Sequence, residues 1–265
     1  MFSSLRSQAL EVLTIRGPAV KCAETARLTS TTQALSVANI NEGLCEPGNL
    51  PGRPDQPLMA APNQVQHRSM ATIEGRAALI HSLAHIELNA VNLALDAIWR
   101  FPEMPAQYYL DWLSVARDEA RHFNLLEAHL KTLGFQYGDF TAHNGLWDMA
   151  ESTKHDVLAR MALVPRTLEA RGLDASPQVR NKLVSAGDMK AAAIVSVILN
   201  DEVGHVYIGN HWYNWLCQQR GLDPLETFAA LALKHKAPRM LSPLNLVARR
   251  AAGFSEEELT LMQGN

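Results

Sequence analysis

A chain of 265 residues with 47% hydrophobic and 19% charged residues can bury a full core, and its balance is that of a globular protein. A formal charge of -3 argues against a dedicated nucleic-acid binder, which needs a basic field. The three cysteines, Cys22, Cys45 and Cys217, are scattered without a CxxC spacing, so they form neither a disulfide framework nor a zinc ribbon and fit a reducing compartment.

No run of about 18 apolar residues is present, so no membrane span is expected. Arg6 and Arg16 lie among Ser and Thr as in a transit peptide, but Glu11 and Glu24 interrupt the stretch and no apolar region follows. The expected location is the cytoplasm.

Residues 1–68 read as an N-terminal arm: a short helix near Ser4 to Leu13, then irregular chain. Between Asn41 and Gln66, Pro47, Pro51, Pro54, Pro57 and Pro62 alternate with Gly43, Gly48 and Gly52, and such a density of breakers excludes regular structure. From Met70 to Arg100 the period becomes helical, with Ile80, Leu83, Ala84, Glu87, Ala90, Val91, Ala94 and Ile98 on one face. Glu87 is the one charge on that stripe. Pro105 opens the next helix and Gly134 stops it. Its stripe runs through Trp112, Val115, Ala116, Glu119, His122, Phe123 and Leu126, so the charged exceptions here are Glu119 and His122.

A loop through Tyr137, Gly138 and Asp139 leads to a third helix, expected over 144–171 and closed by Gly172. Leu158, Ala162, Pro165 and Glu169 share its inner face, with a kink or local widening at Pro165. Ser176-Pro177 is expected to start a short separate helix. Gly187-Asp188 then breaks and caps a fourth long helix, reaching about Arg220 with Val195, Ile198, Leu199, Glu202, His205, Val206 and Gly209 on one face. Asp223-Pro224-Leu225-Glu226 and Ser255-Glu256-Glu257-Glu258 start two more helices. Strand-like alternation is absent. The expected fold is all-α: an arm over 1–68, a four-helix bundle over 69–221 and a C-terminal helical extension over 222–265.

The sequence D-E-x-x-H occurs twice, at Asp118 to His122 and Asp201 to His205. Residues three apart share a helix face, so each Glu and His point the same way, and burying such a pair without a partner is costly. The offset from Glu87 to Glu119 is 32 residues and from Glu169 to Glu202 is 33, so two similar hairpins each supply a Glu and an E-x-x-H at one height. That inventory suits two metal ions held between four helices. The metal ligands expected are Glu87, Glu119, His122, Glu169, Glu202 and His205, whose four carboxylates balance two divalent cations.

The pattern resembles the ferritin-like di-iron carboxylate superfamily. The runs HIELNAVNLALD (85–96), DEARHF (118–123), LEARGLD (168–174) and DEVGH (201–205) are most similar to a bacterial ferritin-like family known as domain of unknown function 455. The LEAR and EARHF pieces also resemble the tRNA isopentenyl-adenosine hydroxylase. The resemblance covers about Met70 to Arg220 and the AGFSEEEL run near the C-terminus. It implies a ferritin-like bundle, with Asp118 and Asp201 orienting the metal-ligating histidines of the opposite hairpin.

Other residues have plainer readings. Glu151 lies 18 residues before Glu169 on the same helical face, but the 33-residue offset favours Glu169. His81 and His85 flank Glu87 off its face and read as packing residues, and His155 lies too far along the helix to join the site. Tyr108, Tyr109, Trp112, Trp212, Tyr213 and Trp215 read as core and helix ends. Lys234, Lys236, Arg239, Arg249 and Arg250 read as a solvated basic face, with a phosphate or tRNA contact as the alternative.

The functional expectation is an O2-dependent oxidoreductase, a hydroxylase or monooxygenase, with two iron ions (manganese or a mixed pair being the alternative), an organic substrate such as a modified tRNA base, and an external electron donor. The competing class is a metal-handling protein that oxidises or sequesters iron without an organic substrate. A third class is a structural site that only staples the helices.

Overall fold

The computed structural model describes residues 4–29, 36, 40–61, 64, 68–238 and 243–264. Among them the regular elements are helical, and the one β-type pairing is an isolated bridge between Met59 and Ala142. The chain is therefore all-α, and it divides into two compact units, residues 1–145 and 146–265.

Unit 1 is built on two long helices, α3 (Ile73–Arg100) and α4 (Ala106–Thr132), joined by a five-residue connection that makes them antiparallel neighbours. Thr72 caps α3 through a bond from the Gly75 amide, and α4 ends before Gly134, which takes a positive φ of 84°. Two shorter helices pack on this pair: α1 (Leu5–Leu13) against α3 and α2 (Pro18–Arg27) against α4. Ser4 caps α1 by accepting from the Ser7 amide, in the stretch where the sequence predicts a short helix. Arg6 is 4% exposed and donates to the Trp99 carbonyl at 3.0 and 2.6 Å and to the Ile40 carbonyl at 2.8 Å, tying α1 to the carboxyl end of α3.

The expected arm is more structured than its composition suggests. Helix α2 falls where irregular chain was predicted. Pro18 supplies its first turn, but its inner face is Lys21, Cys22 and Thr25, which no apolar stripe announces. Beyond it, residues 40–61 are seated on α1 and on the loop after α4. The Gly52 amide donates to Leu13 O at 2.8 Å, and a Cβ at Gly52 would stand 2.0 Å from Thr14 O.

Unit 2 departs from the predicted third helix in two places. The segment breaks into α5 (Gly145–Ser152) and α6 (Val157–Leu163), with a turn between them capped by Asp156. Buried Arg160 donates to the Ala150 carbonyl at 2.7 Å and to Thr153 at 3.0 Å, satisfying the end of α5. Next comes a π-helical segment, Val164–Glu169, that begins where Pro165 removes a backbone donor. The Thr167 hydroxyl bonds the Ala162 carbonyl at 2.8 Å. The widening expected at Pro165 therefore takes the π form.

Helix α7 (Ala170–Ser185) continues without a stop, so Gly172 does not close the segment and Pro177 sits inside a helix instead of starting one. Burial of Ala170, Leu173 and Leu183 outweighs the weak helix preference of those two residues. Helix α8 (Met189–Arg220) has the predicted limits, with Asp188 accepting from the Ala191 amide and Gly221 left-handed at φ 63°. Helices α9 (Pro224–Lys234), α10 (Leu246–Ala251) and α11 (Glu256–Gly264) follow. Asp223 and Ser255 cap α9 and α11 as the capping-box spacing predicts, whereas α10 is too short to read from the sequence. Ala248, Ala252, Phe254 and Leu259 from this end pack with Ala170, Leu173 and Val206 into one cluster.

Gly209 on α8 lets Pro165 approach: a Cβ there would lie 2.5 Å from Pro165 Cβ and 2.7 Å from its Cγ. A ring cannot swing aside, so Gly209→Ala is expected to destabilise the protein by about 1–2 kcal/mol, an overpacking cost that exceeds the helix-propensity gain. A lowered urea midpoint at unchanged m-value would show it.

Two helices, α3 and α8, have the length and composition to cross a membrane. The apolar window of α3 is 72% buried and that of α8 is 44% buried, and both helices carry buried Glu and His, as core helices of a globular protein do.

Candidate metal centre

The clearest constellation lies within unit 1. Glu87 projects from the middle of α3, and Glu119 and His122 project from one turn of α4. Their exposures are 4%, 0% and 0%, so none is a surface charge. The neighbouring residues on each stripe, among them Ala84, Ala90, Val91, Val115, Ala116, Phe123 and Leu126, are buried too, and their packing sets the two helix faces against each other. One oxygen from each carboxylate and one ring nitrogen lie within 4.8 Å of one another. His122 Nδ1 stands 3.2 Å from Glu87 Oε2 and 3.4 Å from Glu119 Oε2.

The electrostatics follow from that geometry. Burial alone would lower the pKa of His122, but hydrogen bonds to Glu119 and Glu87 and their charges outweigh it and raise it to about 10. Two buried carboxylates thus demand a positive charge between them, and a proton on Nδ1 answers that demand in the metal-free chain. A divalent cation answers it as well. Two carboxylates and one imidazole are a donor set for first-row metals, and Nδ1 is the nitrogen facing both acids. Glu87, Glu119 and His122 could therefore hold a metal ion.

In unit 2, Glu202 and His205 are 8% and 3% exposed on one face of α8, with His205 Nδ1 3.9 Å from Glu202 Oε1, longer than a hydrogen bond. Glu169 closes the π segment and is half-buried. Unit 2 by itself holds no three-donor group among its described residues, so Glu169 is not drawn into a cluster with that pair. Glu151, its rival from the sequence, is partly exposed on α5 and pairs with Lys154 at 3.2 Å. Asp118 accepts from Arg121 at 3.3 Å on its own helix, and Asp201 is half-buried.

The remaining candidates are placed as follows. His81 stacks on Tyr137, and the Gly138 amide donates to its Nε2 at 3.0 Å. His85 faces the Tyr137 hydroxyl at 2.8 Å and the His143 carbonyl at 3.0 Å. Burial lowers the pKa of each of these histidines to about 4, so both are neutral packing groups. His155 is exposed in the turn before α6.

Tyr108, Tyr109, Trp112, Trp212 and Tyr213 are core residues, while Trp215 is half-buried. The basic face is broken up. Arg249 is 0% exposed and bonds Asp174 at 2.6 Å, because its guanidinium closes the α7–α10 junction, and Arg250 pairs with Glu256. Lys234 and Lys236 are exposed, and Arg239 lies outside the described residues. The three cysteines are free.

A family profile described as "Protein of unknown function (DUF455)" matches residues 15–260. A relative from Haemophilus influenzae, described as "Uncharacterized protein", is 51% identical over 218 residues, which is 80% of this chain and 76% of the relative. No solved structure matches the chain.

Proposed function

The chain belongs to the DUF455 family, and from that footing we propose that it is a ferritin-like di-iron carboxylate protein that carries out O2-dependent oxidation of an organic substrate. The observation that carries this reading is the buried cluster of Glu87, Glu119 and His122. Its support from the second half of the chain is the Glu202 and His205 pair, buried on a long helix in the same E-x-x-H spacing. In this reading Glu169, Glu202 and His205 complete the ligand set, and Asp118 and Asp201 hold the ligating histidines in the required tautomer.

Iron bound there would supply the oxidising power to hydroxylate or desaturate a substrate, with electrons drawn from an external donor. The residues of the chain do the rest. Glu87 and Glu119 provide the negative charge that draws cations into an apolar interior. His122 would hold the ion through Nδ1 and would release the proton it carries there, so uptake would be coupled to proton release. The alanines, valines and aromatics flanking the acids keep bulk water out.

Anaerobic loading of the full chain with iron(II), elemental analysis and then an oxygen pulse tests the proposal. Two irons per chain and a ferric absorption band after the pulse are expected. Uptake of many irons per chain moves the protein to the metal-handling class, and a chain that takes up no metal removes the reading altogether.

A further inference from the structure

Three consecutive residues of the π segment are each fixed from a different side. Pro165 is pressed against α8 at Gly209, where an added Cβ would stand 2.5 Å from the proline Cβ. The buried Arg166 guanidinium is ion-paired with Glu258 of α11 and donates to Asn210 Oδ1 at 3.0 Å. Asn210 is held in turn, donating to the Ala252 carbonyl at 2.7 Å. The Thr167 hydroxyl reaches back five residues, to the Ala162 carbonyl in the last turn of α6.

Glu169 comes next but one. The Ala170 amide bonds the Pro165 carbonyl, again five residues back, so Glu169 lies inside the wide turn and downstream of all three fixed residues. Leu168 and Glu169 are only partly buried, so their own packing does not decide where they point. A π turn holds one residue more than an α turn. Moving that extra residue past Glu169 turns its side chain by about 100° and shifts it by about 1.5 Å. The height of Glu169 also follows from its neighbours. Pro165 meets Gly209, while Ala170 and Leu173 share a cluster with Val206. The segment therefore runs antiparallel to α8 and carries Glu169 past the turn that holds His205.

We propose that Arg166, locked by Glu258 of α11, is a positioning residue that fixes the register of the π turn and so aims Glu169 as a metal ligand. The role rests on Glu169 being a ligand of the di-metal centre. Glu258 suits the task because its two oxygens are anchored separately: Oε1 holds Arg166 and Oε2 accepts from the Ser255 amide at 2.7 Å. The first turn of the C-terminal helix thereby sets the orientation of a residue 89 positions earlier in the chain. Groups that orient metal ligands from behind typically change metal affinity by about 10–100-fold when removed.

The test uses the full chain and the double variant Arg166→Met with Glu258→Leu, which leaves no buried charge behind. Amide hydrogen exchange on metal-free protein, read by mass spectrometry, is expected to speed up across 164–170 about tenfold more than in α8, which serves as the internal reference. Iron content after anaerobic iron(II) loading is expected to fall from two to about one per chain, as in Glu169→Ala. A pair that only stabilises the fold would move neither readout. Should the double variant fail to fold, Glu258→Gln, which keeps the side-chain shape and weakens the hold on Arg166, carries both measurements. Exchange across 164–170 that rises no more than in α8, or two irons per chain where Glu169→Ala holds one, overturns the positioning role alone. Two irons per chain in Glu169→Ala, or no uptake by the wild type, overturns the ligand reading and the role with it.

Discussion

Glu119→Ala is expected to empty the metal centre while the helices remain. Glu119 is 0% exposed and shares His122 Nδ1 with Glu87, so its carboxylate is one of two charges that make the pocket anionic. Without it the pocket retains one carboxylate and one imidazole, and neither the charge nor the donor count favours a divalent ion. Even residues that only support metal ligands change affinity by about 10–100-fold when removed, and loss of a direct ligand is expected to exceed that range. Elemental analysis of the purified variant is the readout, with circular dichroism to verify that helix content is kept. Full metal content in this variant would sink the assignment of Glu119, and with it the central site.

A second large effect is expected in unit 2, where the C-terminal helix meets the π segment. The Arg166 guanidinium, from the π segment, is almost fully buried and is ion-paired with Glu258 of α11. Its Cζ also stands over the rings of Tyr213, Phe228 and Phe254, at 4.7, 5.0 and 5.1 Å from their centroids, and it donates to Asn210 Oδ1 at 3.0 Å. Glu258 has a further duty, accepting from the Ser255 amide at 2.7 Å to close the capping box of α11. Glu258→Ala therefore strands a buried cation and removes the acceptor of the Ser255 amide, one half of the capping box. A loss of about 3–5 kcal/mol is expected from urea unfolding, and the double variant Arg166→Met with Glu258→Leu should recover part of it because no charge is then left buried. A loss below about 1 kcal/mol would mean that solvent reaches Arg166 freely and the pair is a surface pair.

Both effects rest on residues of unequal visibility in the sequence. Glu87, Glu119 and His122 stand out because each interrupts an apolar stripe of period 3.6, and the offset of 32 residues places them at one height across a short connection. That reasoning needs only helix geometry, and the structure brings the three together. The Arg166 site has no such signal. Its partners are 44, 47, 62, 88 and 92 residues away along the chain, and nothing local marks an arginine as buried. Arg249 illustrates the same point, since it sits in a basic run that reads as a solvated face and is fully buried against Asp174.

The secondary structure divides along the same line. Caps at Asp188, Asp223 and Ser255 are legible because a side chain and an amide three residues on decide them. Helix α2 and the uninterrupted run of α7 through Gly172 and Pro177 are not, because packing overrules local preference there.

By itself, then, the sequence determined an all-α chain and a pair of acid–imidazole turns on long helices, since periodicity, capping and residue spacing are local properties. Only the tertiary structure decided the π form of the segment ending at Glu169, the seating of residues 40–61 on α1, and the burial of Lys21, Arg166 and Arg249. Each of these depends on which distant segments exclude water from a charge, and that is a property of the packed chain.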